Sequence, residues 1–277
     1  MRPGGPRPFR TMTALADLFP AGDYRFHLTL RRGEPRDFFR PRDASGRVRA
    51  ERARWIAAEP ARYTALQPDG EPLLMELAEL AAGWGVLPAP PPADLLRTLG
   101  ATLEPDFLLL SRDQQDEFRL RGGALCFPTA WALEDKIGHT LDFIHGPVPG
   151  LNAALAPPIG QFLARLKPGV AFQRDNWGIA ATDELNLHPA RALPAPRPPV
   201  ALDRLWLRVE HQALVALPRT GGVVFGLRIA LHRLDVDAVD RVGRGQGRAG
   251  DRVMVDDHIQ AARLKGPEDR GVDGRGG

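Results

Sequence analysis

The stretch that most restricts the fold is DRLWLRVEHQALVALPRTGGVVFGLRIALHRL, residues 203–234, where two long alternating runs flank a Pro-Arg-Thr-Gly-Gly turn. Val223, Phe225, Leu227, Ile229 and Leu231 recur at every second residue, the period of a strand with one apolar face. Arg228 and His232 fall on the other face. In the first run Leu205, Leu207 and Val209 share a side, and Arg208, Glu210 and Gln212 share the opposite one. A half-buried antiparallel strand has this pattern, and its polar side is ordinarily turned to water. The pattern alone leaves two readings of Arg208, Glu210 and Arg228 open: solvated charges, or the polar lining of a site.

Upstream, DFLLLSR and EFRLRGGALCF read as two antiparallel strands joined by the polar turn DQQD, and GVAFQRDNWGIA as another strand. From residue 106 the order is strand, strand, helices, strand, long hairpin. The predicted fold class is therefore α+β: a PAS-like antiparallel sheet with inserted helices, preceded by a helical N-terminal segment. In that segment YRFHLTL alternates as a strand, a helix is expected from about Arg47 to Ala58, and Leu73, Leu74, Leu77 and Leu80 take helical spacing after Pro72. VLPAPPPADLL reads as a proline-stiffened connection. The organisation expected is a loose stretch 1–20, a helical segment 21–100 of the same domain, a core 101–235, and a glycine- and arginine-rich tail 236–277 with nothing to bury.

Between the second and third core strands lies ALCFPTAWALEDKIGHTLDFIHGPVPG, residues 124–150. Leu133, Ile137, Leu141 and Ile144 draw one apolar stripe, which predicts a single amphipathic helix with Thr129 as N-cap and Gly146 as left-handed C-cap. At about 100° per residue, His145 falls on the border of that stripe beside Gly138, whereas His139 falls among Asp135, Lys136 and Asp142. A histidine in a last helical turn can hold a metal through Nε2. The competing reading is a histidine that pairs with the helix dipole and binds nothing.

Composition narrows the classes. A formal charge of +3 spread over 277 residues gives no footprint for nucleic acid. The single cysteine, Cys126, excludes an internal disulfide framework. No apolar run reaches membrane-spanning length and the first residues lack the apolar core of a secretory signal, so a cytoplasmic protein is expected.

Three blocks, CFPTAWALEDKIGHTLDFIHGPVPG, RDNW and LRVEHQALVALPRTGGVVFGLRI, resemble the haem-dependent oxidative N-demethylase family, alpha-subunit-like, as does YRFHLTLRRGEPRDFFRPRD nearer the start. The resemblance implies a PAS-type haem subunit that uses O2 and NADPH to remove a methyl group from dimethylamine. It also implies haem b as cofactor, and partner components carrying FMN and a 2Fe-2S cluster. On that basis His145 is the expected axial ligand, with a Cys126 thiolate as competitor. Gly138 lies beside the ligand, Lys136 and Arg174 are candidates for the propionates, and Asn176 and Trp177 for the pocket lining. Glu210 is expected to hold a cationic amine, and Arg228 or Arg208 to donate to the distal oxygen. A non-catalytic haem- or gas-binding PAS-like module is the alternative. Three positions depart from the family's usual strings: His211 stands for an arginine, Ala213 for a threonine and Gly226 for a threonine.

Overall fold

The long hairpin is the centre of a seven-stranded sheet. The computed structural model describes residues 30–87, 94–147, 159–197, 199 and 201–234. Its strands are β1 (Arg31–Gly33), β2 (Thr64–Leu66), β3 (Asp106–Arg112), β4 (Phe118–Ala124), β5 (Ala171–Ala180), β6 (Trp206–Ala216) and β7 (Val223–Arg233). They pair antiparallel throughout, in the order β1-β5-β6-β7-β3-β4-β2. The helices are α1 (Pro35–Phe39), α2 (Arg47–Ala58), α3 (Pro60–Tyr63), α4 (Glu71–Gly83), α5 (Leu95–Thr102) and α6 (Leu141–His145). None of the described helices is long and apolar enough to cross a membrane.

The expected α+β class holds, with five core antiparallel strands and helical structure inserted after the second. The strand predicted at YRFHLTL and the tail lie outside the described residues. The proline-rich connection ends in α5, a helix that sequence spacing did not indicate; the Asp94 carboxylate caps it by accepting from Arg97 N at 3.2 Å.

Cross-strand partners share a face, so the register sorts every side chain to one side of the sheet. Phe107, Leu109, Ala213, Val215 and Val224 face one way and pack against Phe38 and Phe39 of α1, Leu73 and Leu77 of α4, and Leu99 of α5. This is the sealed face. Leu108, Leu110, Leu227, Phe225 and Leu214 face the other way, toward Leu133, Ile137, Leu141, Ile144 and Phe162. At the tip of the hairpin the Glu76 carboxylate of α4 accepts from Arg219 N (2.7 Å) and Thr220 N (2.9 Å), which ties the turn to the sealed side.

The segment 129–145 does not form the one helix predicted. Gly138 takes φ +81°, its N–H donates to Leu120 O at 2.8 Å, and Leu120 N donates to His139 O at 3.0 Å. The backbone at 138–140 thus bonds to β4, with Thr140 bridged to Arg119. Those bonds are incompatible with continuous i→i−4 pairing. The helix begins only after Thr140, whose Oγ1 accepts from Phe143 N. Leu133 and Ile137 still pack inward, so the apolar stripe is used without being helical. Gly146 keeps helical dihedrals (φ −48°, ψ −39°) and is not a left-handed cap.

Arg228 projects into the sealed side. Its guanidinium donates to Phe38 O (2.9 Å from Nε), to Arg40 O (2.6 Å) and to the buried Glu104 carboxylate, which also accepts from Arg42 N and Asp43 N at 2.8 Å each. Removing one partner of a buried pair strands the other charge. Glu104→Ala should therefore lower the unfolding free energy in urea by about 3–5 kcal/mol. A loss below about 1 kcal/mol, the scale of a surface pair, would show that the pair does not carry this packing.

Candidate active site

The other face of β5–β7 carries the polar side chains. Arg174, Asn176, Arg208, Glu210 and Gln212 alternate onto it, beside the apolar Leu214, Phe225 and Ile229, which are only partly buried. Gln212 and Thr129 join the site without having been singled out for it; Gln212 shares the polar side of β6, which was the available signal.

Glu210 is the centre of a hydrogen-bond cluster. Its Oε1 accepts from Thr129 Oγ1 at 2.6 Å, and its Oε2 accepts from Asn176 Nδ2 at 3.2 Å and Gln212 Nε2 at 3.0 Å. None of these donors is charged. Thr129, expected as a helix cap, is instead held at this point by a bridge to Leu187.

Arg208 lies beneath. It is 1% exposed, and its guanidinium donates to Thr129 Oγ1 (2.9 Å), Phe127 O (2.9 Å), Leu185 O (2.8 Å), Glu184 O (3.3 Å) and Pro128 O (3.4 Å). Burial lowers its pKa to about 10, which leaves it protonated at neutral pH. With its donors committed to two loops and a hydroxyl, Arg208 anchors the site instead of reaching into it.

His145 ends α6 where the sequence placed it, and it is half-buried. Burial, and after it the positive charge of Arg174, holds its imidazole below the usual histidine pKa, so the neutral ring is favoured. Among the described residues neither His145 nor Arg174 makes a hydrogen bond or an ion pair. A neutral imidazole beside a cation with no partner, over partly covered apolar side chains, is a donor set that fits a porphyrin with carboxylate side groups.

Other expected site residues are elsewhere. Arg228 is on the sealed face, as described above, and cannot donate into the site. Trp177 is the register partner of Val209 and alternates to the sealed side as well. Gly138 serves the turn against β4, where an added Cβ would come within 2.5 Å of Gln67 Nε2. Lys136 lies over the ring of the exposed Phe143, 5.0 Å from its centroid. Cys126 is fully buried among Ile56, Tyr63 and Phe127, and burial pushes its thiol pKa up to about 12, the opposite of what a thiolate ligand needs.

The three departures also fall on the sealed side. Ala213 and Gly226 are cross-strand neighbours, and a Cβ on Gly226 would meet Phe38 Cε1 at 2.6 Å and Phe39 Cζ at 3.0 Å. His211 bonds through Nδ1 to Asp175 at 2.7 Å. Ala213 and Gly226 fit α1 to the sheet, and none of the three positions faces Glu210.

The domain is α+β, with a sheet packed closed on one side and carrying a row of polar side chains on the other. The chain belongs to the haem-dependent oxidative N-demethylase, alpha subunit-like family, whose profile matches residues 82–244, well over half of its 277 residues. The match spans all five core strands and both halves of the Glu210 cluster. The family's name makes the chain the counterpart of one subunit of a multi-subunit, haem-dependent enzyme.

The state of Cys126 is directly measurable. At about pH 8, near the ordinary thiol pKa, Ellman's reagent should titrate no thiol in the folded protein and the single cysteine after denaturation. Prompt reaction in the folded state would contradict the burial.

Proposed function

We propose that this chain is the haem-carrying subunit of a monooxygenase that removes a methyl group from a small secondary amine of the dimethylamine type. The products are a primary amine and formaldehyde; one oxygen atom of O2 enters the aldehyde and the other leaves as water. The two electrons come from NADPH through partner components that carry FMN and a 2Fe-2S cluster. Supporting the reading most strongly is Glu210, a partly buried carboxylate held only by neutral donors on the same sheet face as Arg174, the neighbour of His145. A partly buried carboxylate whose hydrogen bonds all come from uncharged donors suits a cationic substrate, because an incoming ammonium supplies a direct charge-assisted bond that Arg208, which acts on Glu210 from beneath Thr129, does not make.

In this reading β3–β7 and the inserted segment act as a PAS-like holder. His145 would ligate haem b, Arg174 would pair with a propionate, and Leu214, Phe225 and Ile229 would supply the apolar surface. Haem, when bound, supplies the activation of dioxygen. The residues of the chain do the rest: Glu210 binds the ammonium, Asn176 and Gln212 fix the carboxylate, and the apolar side chains exclude water so that the charge pair is stronger than in solution. Arg208 takes the role of an anchor. A gas-binding PAS-like module would have no use for a carboxylate at this position, which favours the enzyme.

The test combines two measurements. Hemin added to the purified protein should give a saturable Soret band, and the loaded protein, supplied with electrons by a reductase, should release formaldehyde from dimethylamine. Glu210→Gln should keep the Soret band and lower kcat/KM by about 30-fold or more, the scale of unpairing a buried charge. Bound hemin with no turnover on any of a panel of methylamines would favour the gas-binding alternative.

A further inference from the structure

The hydrogen bonds around Glu210 have a fixed polarity. Arg208 has no acceptor, so its Nε–H donates to Thr129 Oγ1 (2.9 Å). The Thr129 hydroxyl proton is therefore directed to Glu210 Oε1, 2.6 Å away. On the other oxygen, Oε2, Asn176 Nδ2 (3.2 Å) and Gln212 Nε2 (3.0 Å) both donate. A carboxylate offers about two acceptor positions on each oxygen. Among the described residues Oε2 thus has its full complement of donors, and Oε1 has one.

We infer that Thr129 is a positioning residue which, with its hydroxyl aimed by Arg208, leaves Glu210 a single acceptor position on Oε1, so that the site recognises one N–H of an alkylammonium ion. The inference rests on the proposed function and specifies its substrate class. Secondary and tertiary methylammonium ions both carry the required N–H; a quaternary ion has the same charge and none. Charge alone would bind all three alike, whereas a site with two acceptor positions would favour the secondary ion over the tertiary.

Calorimetric titration of the hemin-loaded protein with dimethylammonium, trimethylammonium and tetramethylammonium chlorides tests this without any turnover. The first two should bind within about fivefold of each other, and the third at least about tenfold more weakly, the scale of one charge-assisted hydrogen bond. Equal binding of all three, or a preference for the secondary over the tertiary ion beyond about fivefold, overturns the inference. Thr129→Val removes the donor that fills the other position on Oε1, so it should give a preference for the secondary over the tertiary ion beyond about fivefold, and Thr129→Ser should return the wild-type pattern, since only the hydroxyl is needed. If Glu210→Gln abolishes binding and Thr129→Val keeps the wild-type selectivity among the three ions, the inference fails and the proposed function stands. If Glu210→Gln binds as the wild type does, the role given to Glu210 fails and the inference with it. Should Thr129→Val not fold, the three-ion series on the wild type still decides.

Discussion

The arrangement depends on one buried guanidinium. Arg208 rises from β6 and is met by carbonyls of two loops that are remote in sequence, Phe127 and Pro128 on one side and Glu184 and Leu185 on the other. Desolvating a guanidinium is unfavourable unless its donors are satisfied, and here all three nitrogens donate, Nε to Thr129 Oγ1, Nη1 to Glu184 O and Nη2 to the carbonyls of Phe127, Pro128 and Leu185. Those bonds bring the loops against the sheet at the point where Thr129 meets Glu210. Further contacts secure the same junction: Leu187 N bonds to Pro128 O at 3.2 Å, and His188 Nε2 pairs with Glu134 at 3.1 Å. His188 Nδ1 accepts from Ala190 N, which places its proton on the side of Glu134.

Buried charge is used for packing on both faces of the sheet. On the sealed side Arg228 and Glu104 neutralise each other beneath α1; Asp106, level with Leu227 on the opposite face, pairs with Arg52 and also accepts from Cys126 N (2.6 Å) and Phe127 N (3.0 Å). Asp106 thereby aims the chain from β4 into the 127–129 turn that Arg208 receives. On that face Glu210 is hydrogen-bonded only by uncharged groups, with the Arg208 guanidinium acting on it from beneath Thr129, and burial favours the neutral form of His145.

Much of this was legible in the sequence. The period-two runs specified the hairpin and, through it, the sheet; the apolar stripe of α4 and the extent of α2 followed from spacing. Local pattern placed His145 at the end of a helix and Glu210 on the polar side of a strand, which is where the structure has them. The errors have a common physical cause, which is that local periodicity does not report long-range backbone pairing. The helix predicted from Thr129 was interrupted because Gly138 and His139 bond to β4, a partner 18 or more residues away in the chain. Alternation placed Arg228 and Arg208 on polar sides of their strands, yet the register puts them on opposite faces of the sheet, Arg228 level with His211 and Arg208 level with Leu231. Sidedness is a property of the pairing and not of either strand alone.

The central claim is that the imidazole of His145 ligates a haem iron on the polar face. Complementation of a ligand cavity addresses it most directly: His145→Gly is loaded with hemin, its absorption spectrum is compared with that of the wild type, and imidazole is then added. The account predicts a variant spectrum that differs from the wild type and returns to it as imidazole occupies the place of the missing ring. Identical spectra for wild type and His145→Gly before any imidazole is added would contradict it.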